Sequence, residues 1–264
     1  QATAIIEIGK KGSKYENGIK DWGMALEAAK LLGQTVSIQN SNAAMSQNSR
    51  ASGFGPLSRG TRGMFSREGT KGGAGGVVFA IRPGGSFRGK KRTTVEALTT
   101  LLHEIAHGVT LGPIDGKTSP TYQKPNLETA TNQLAKVKGD DYSPGSFVGS
   151  AIAPLLSGKN FDINHPIVQE INNLQKNISV SLGPDSKDVR AIRDFTNGTA
   201  SVKYTKYANN FAEFAVDPVW VYMFDPALAK QLMPETTALI RKEFAKAGNK
   251  QIQFYSHPFA TILA

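Results

Sequence analysis

Cysteine is missing from all 264 residues of this chain. That excludes disulfides and thiolate metal sites, and leaves His, Asp and Glu as the side chains able to hold a metal. Histidine is scarce too: His103, His107, His165 and His257 are the whole supply. No apolar run approaches the roughly 18 to 20 residues that span a bilayer, so the chain reads as soluble, without a membrane span. It begins at Gln1 with neither an initiator Met nor a signal-peptide pattern, as expected of a processed product or an excised domain.

Acidic residues are nearly absent from one region. Between Arg50 and Arg92 lie ten of the 31 basic residues but only one of the 21 acids, Glu68. The net charge of +10 is therefore local, carried by one basic segment of an otherwise near-neutral chain. Arg-Gly steps interleaved with Phe54, Phe65 and Phe87 are able to combine phosphate attraction with base stacking. An acidic or nucleic-acid partner bound through residues 50–92 is one functional class to carry forward, against the plainer reading of a solvated loop.

The apolar pattern gives an α+β order. A β-branched strand at Ala2–Gly9 is followed by a helix over Ile19–Leu32, which Gly33 stops. A short strand follows at Thr35–Asn40. Residues 41–76 are rich in Ser, Gly, Asn and Arg and read as a long mobile basic loop. Val77–Arg82, "VVFAIR", is a third strand. Thr93 with Glu96 three residues later is a capping box that opens a helix whose buried side comprises Val95, Leu98, Leu101, Leu102, Ile105 and Ala106. Further helices are expected at 127–137, 166–177, 207–216 and 234–247, and "GTASVKY" after Asn197-Gly198 reads as a hairpin strand. The simplest division is a first lobe at 1–112 and a mainly helical lobe at 113–264.

The capped helix carries "HEIAH", His103 to His107. Imidazoles at i and i+4 share one helical face and reach a common metal, and Glu104 stands beside them without being needed as a ligand. In a hydrolytic zinc site a metal-acidified water gives its proton to such a carboxylate, which makes Glu104 the general base. A third ligand is required. The metzincin pattern fails, because Thr110 and Pro113 stand where its Gly and His belong. His165 and His257 each precede a proline in a loop-like segment and read as packing or exposed histidines.

Glu213 fits better. It lies among Phe211, Ala212, Phe214, Ala215 and Val216, where an unpaired buried carboxylate is costly and coordination would remove the cost. Asp217 follows at i+4, the spacing that lets it accept the second ring N–H of a liganding histidine.

"HEIAH" followed much later by "FAEFAVD" resembles the gluzincin metallopeptidases. The stretch "NNFAEFA" is similar to anthrax lethal-factor-type catalytic domains and to zincin modules of phage and mobile-element polyvalent proteins. The resemblance implies an α+β zincin-like fold with Zn2+ on His103, His107 and Glu213, and Glu104 as general base. It also implies a tyrosine donor to the oxyanion, Tyr207 ahead of Tyr204, and an endopeptidase acting on protein or peptide substrates. In the zincin first lobe a strand lines the cleft and pairs with substrate, and the resemblance assigns this to "VVFAIR", with Val78, Phe79 and Ala80 binding substrate. The interval between His107 and Glu213 exceeds that of compact gluzincins and implies an insertion. A secreted, translocated or phage-associated protein fits this resemblance, and a degenerate zincin kept as an interaction module is the alternative that the intact Glu104 argues against.

Overall fold

The computed structural model describes residues 5–54, 56–57, 60–66, 76–111, 164–181, 211–245 and 252–255. Within them the chain is a mixed α/β fold of two small sheets and seven helices. The elements are β1 (Ile6–Ile8), α1 (Trp22–Leu31), β2 (Thr35–Ser41), α2 (Asn42–Ala51), β3 (Gly63–Ser66), β4 (Val77–Phe87) and β5 (Lys90–Lys91). They continue as α3 (Thr94–Leu111), α4 (Pro166–Ser181), α5 (Phe211–Phe224), α6 (Pro226–Leu232), α7 (Pro234–Ala245) and β6 (Ile252–Phe254).

The larger sheet has the order β2-β4-β3, with β5 folded back on the end of β4. β2 runs parallel to β4, while β3 and β5 run antiparallel to it. Alternation along β4 divides the core. Val78 and Ala80 join α1, α3 and α5 on one face, and Val77, Phe79 and Ile81 meet Met45 of α2 on the other. β1 and β6 form a separate parallel pair, Ile6 opposite Ile252. Residues from both halves of the chain thus share one hydrophobic core, which the boundary at 112 does not divide.

The α3 capping box forms as written. The Glu96 N–H donates to Thr93 Oγ1 at 3.2 Å, and the Thr93 N–H donates to Glu96 Oε2 at 2.8 Å. Leu98, Leu101, Leu102 and Ile105 are fully buried, each contributing about 1.5–3 kcal/mol by leaving water. Val95, expected on that face, is instead 61 % exposed, and Ala97 of the same turn is fully buried in its place.

Residues 41–76 are not one structureless loop. The Ser41 hydroxyl accepts the Ala44 N–H and caps α2, whose Met45 and Ser49 are fully buried. β3 then pairs four residues with β4. A polar composition hid both elements, because a helix needs only a narrow buried stripe when a sheet lies beneath it.

α5 was expected to end near Val216, yet it continues through Pro218. An interior proline costs about 3 kcal/mol. Burial of Val216, Val219, Trp220, Val221, Tyr222 and Met223 offsets it, and α5 is a helix buried on most sides. α6 and β6 had not been anticipated. The segments 127–137 and 198–204 lie outside the described residues, as do Tyr204, Tyr207 and His257.

Candidate functional site

α3 holds His103, Glu104 and His107 where three elements meet. Glu104 and His107 are each 8 % exposed, and the His103 side chain is 22 % exposed. The one-turn spacing sets the two imidazole centroids 4.8 Å apart, their planes at 83°. Two nitrogen donors of one helix therefore stand close together, as a shared metal requires.

α5 packs across α3 and delivers Asp217. Its Oδ1 lies 3.5 Å from His103 Nδ1 and accepts the Trp220 indole N–H at 3.0 Å. Trp220 is one turn along α5, so the indole fixes the carboxylate and the carboxylate faces the imidazole. With Nδ1 turned to Asp217, Nε2 of His103 lies on the opposite side of the ring from that carboxylate.

β3 closes the other flank. Phe65 stacks against His107, with centroids 6.5 Å apart and planes within 10°. At Gly63 a Cβ would stand 2.7 Å from Glu104 Cγ and 2.8 Å from its Oε1, so only glycine lets this strand lie on the carboxylate. A Cβ at Gly76 would stand 2.7 Å from the Phe65 ring, and one at Gly108 3.0 Å from it. Those two glycines make the slot that holds the ring over His107.

Glu213 belongs to α5, four residues before Asp217, and its side chain lies outside the described residues. Among the described residues no group of three His, Cys, Asp or Glu side chains is gathered for a metal. His165 is engaged elsewhere: its Nδ1 accepts the Ile167 N–H at 3.3 Å at the start of α4. The donors present are two imidazoles on one turn with a carboxylate behind the first, side chains of the kind that zinc sites use.

Val78, Phe79 and Ala80 do not line an exposed edge. β4 is the middle strand, with Val78 between Val36 and Phe65 and Ala80 between Ile38 and Gly63. Its main-chain groups serve the two neighbours, and all three side chains are buried. Substrate pairing at these residues is therefore excluded. Among the described residues β3 pairs with β4 alone and is the strand beside Glu104.

The basic segment is also sorted by burial. Arg92 is 7 % exposed and donates to Thr100 Oγ1 at 2.7 Å and to the Glu96 carbonyl, tying β5 to α3. Desolvation and the nearby Arg62 charge push its pKa down to about 10. Phe54 packs edge-on against Phe79 at 5.7 Å. With Phe65 on His107, two of the three aromatics expected to stack on bases are committed inside the protein.

Gly63, Phe65 and Trp220 were missed as site residues. The first two sat in a stretch read as loop. Trp220 was missed because the helix was expected to stop before Pro218, and its continuation is what sets the indole one turn from Asp217. Compared with known family models, with curated proteins and with solved structures, the chain gives no match.

Proposed function

We propose that this chain is a zinc-dependent endopeptidase of gluzincin type on a zincin-like α+β fold. His103, His107 and Glu213 would hold the metal. The observation that carries the reading is the Asp217–His103 approach at 3.5 Å. An HExxH helix arising by chance has no reason to meet a carboxylate from a distant helix at its first histidine, whereas metal-ligating histidines usually have such a partner. When bound, zinc would supply Lewis acidity to a water and to a substrate carbonyl.

The chain's own groups divide the remaining work. Glu104, half-enclosed by β3, takes a proton from the attacking water and returns it to the departing amine. Asp217 holds the His103 ring, and Phe65 holds His107. β3, which among the described residues pairs with β4 alone, would offer its outer edge to an extended substrate, the role first assigned to β4. Tyr207 is retained as the donor to the oxyanion.

Zinc analysis of the purified protein together with a Glu104→Gln variant tests the proposal. One zinc per chain and peptide hydrolysis that disappears in the variant are the expected results. A protein without zinc affinity, or a variant with unchanged turnover, overturns it and favours the degenerate module. The nucleic-acid reading is weaker, since Phe54, Phe65 and Arg92 have structural roles.

A further inference from the structure

The hairpin joining β4 to β5 turns through two residues, Arg88 at φ 50° and Gly89 at φ 79°, the left-handed pair of a tight hairpin turn. It presents Arg88, Lys90 and Lys91 to solvent. Phe87, half-buried at its base, lies under two guanidiniums, those of Arg62 at 5.5 Å and Arg88 at 5.4 Å from the ring centroid. Two guanidiniums thus flank one aromatic ring, and the paired strand opposite Phe87 and Ser86 adds the exposed Lys90 and Lys91.

This cluster continues the site. Arg62 directly precedes Gly63, the residue that lies on Glu104, and its carbonyl accepts a bond from Arg92 at 3.5 Å. A peptide paired with the outer edge of β3 advances about 3.3 Å per residue. One or two residues beyond Glu104 it comes alongside Arg62, and then the hairpin.

We propose that this hairpin is a recognition surface for acidic side chains of a peptide laid along β3, so that the enzyme selects substrates with Asp or Glu on one flank. The proposal rests on the peptidase reading for the word substrate, but the binding surface stands on its own geometry. Antiparallel pairing, the more stable arrangement, sends the peptide's C-terminal side toward Arg62. The acids accordingly lie C-terminal to the segment over Glu104. A peptide fits better than a nucleic acid because the available aromatic, Phe87, is covered by arginines rather than open for base stacking.

The test measures binding of fluorescent peptides to the full chain carrying Glu104→Gln. The peptides share an apolar centre and bear three Glu on the C-terminal side, three Glu on the N-terminal side, or three Gln. The C-terminal-acid peptide should bind about tenfold tighter than the Gln peptide, a gain typical of a few exposed ion pairs. That advantage should shrink at about 1 M salt, where the Debye length falls to roughly 3 Å. It should vanish with Arg88→Asn, Lys90→Glu and Lys91→Glu combined, with Lys90→Gln alone giving a partial loss should the triple variant fail to fold. Equal binding of all three peptides, or preference for the N-terminal acids, overturns the proposal. So does a single-stranded oligonucleotide that binds more tightly than any peptide and is the only probe to respond to the substitutions. Hydrolysis by the unsubstituted chain is scored separately. Absence of cleavage with intact acidic-peptide selection removes the peptidase reading and leaves the surface, whereas cleavage without acid preference does the reverse.

Discussion

Asp217 Oδ1 and His103 Nδ1 stand 3.5 Å apart across the contact between α5 and α3, and the same carboxylate oxygen accepts the Trp220 indole N–H. Removing the carboxylate loosens the imidazole without deleting a ligand. Asp217→Ala should therefore weaken zinc binding by about 10- to 100-fold, as measured by competition with a chelating dye. An unchanged affinity would show that Asp217 supports only Trp220. Trp220→Phe provides the complementary readout, a smaller loss in the same titration.

His103→Ala and His107→Ala should each abolish stoichiometric zinc, whereas Glu104→Gln should retain it. The difference follows from the proposed roles: two residues would donate to the metal, and one would accept a proton. The loss of hydrolysis in Glu104→Gln is expected at about 10²- to 10⁴-fold. Metal content and peptide turnover, measured on the same preparations, separate the two classes.

Gly63→Ala tests how tightly β3 lies on the general base. Its Cβ would meet Glu104 and the Thr100 methyl, each within 2.8 Å, so the strand or the carboxylate must shift. A stability loss of about 1–3 kcal/mol is expected from this overpacking. Activity should fall further than stability, because the displaced group is the proposed proton acceptor. Thermal denaturation beside a kcat measurement checks it, and normal turnover would show that Glu104 has room to move.

Acid should weaken the docking of α6. Burial acts to raise the Asp225 pKa, but the Leu228 N–H and the Lys20 ammonium, 2.7 Å away, outweigh it and hold it below the ordinary carboxylate value. A group lowered on folding contributes stability above its unfolded pKa and loses it as pH falls through the folded one. Asp225→Asn keeps a capping side chain but removes the charge, so it should flatten the decline in stability below about pH 4. Asp225→Ala should cost about 1 kcal/mol more at neutral pH through loss of the cap. Urea denaturation from pH 7 to pH 3 compares the three proteins.

Among the described residues away from the site, Gly18 is the glycine where a side chain is least tolerable. It has φ 85° and lies against the Phe224 and Met223 carbonyls, where the Ile19 N–H bonds to Met223 O at 2.7 Å. Gly18→Ala combines left-handed strain with a main-chain clash and should destabilise by more than about 2 kcal/mol. Wild-type-like melting would mean that the 9–20 loop can leave α5 at little cost.

Local chemistry made α3 legible in the sequence. A capping box, a 3.6-residue apolar period and an i, i+4 histidine pair are properties of one helix, fixed by its own backbone geometry and needing no partner. β4, β2 and α1 were readable from local pattern too, β4 by its apolar run, β2 by its β-branched residues and α1 by apolar residues at helical spacing. The i+4 relation of Glu213 to Asp217 was equally available, because both lie on one helix. The cysteine count restricted any metal to His, Asp and Glu before any fold was known.

Strand neighbours, by contrast, are chosen by packing between distant segments, and no period within a strand records whether it becomes an edge or a centre. β4 looked like an edge and became the centre, because the polar segment before it supplied β3. Gly63 and Phe65 acquired their roles only when that strand came to rest against Glu104 and His107. Arg92 and Arg88 belong to one basic segment, yet the fold buries the first under α3 and puts the second at a hairpin tip. The meeting of Asp217 with His103 was decided likewise, by two helices far apart in the chain burying their apolar faces against each other.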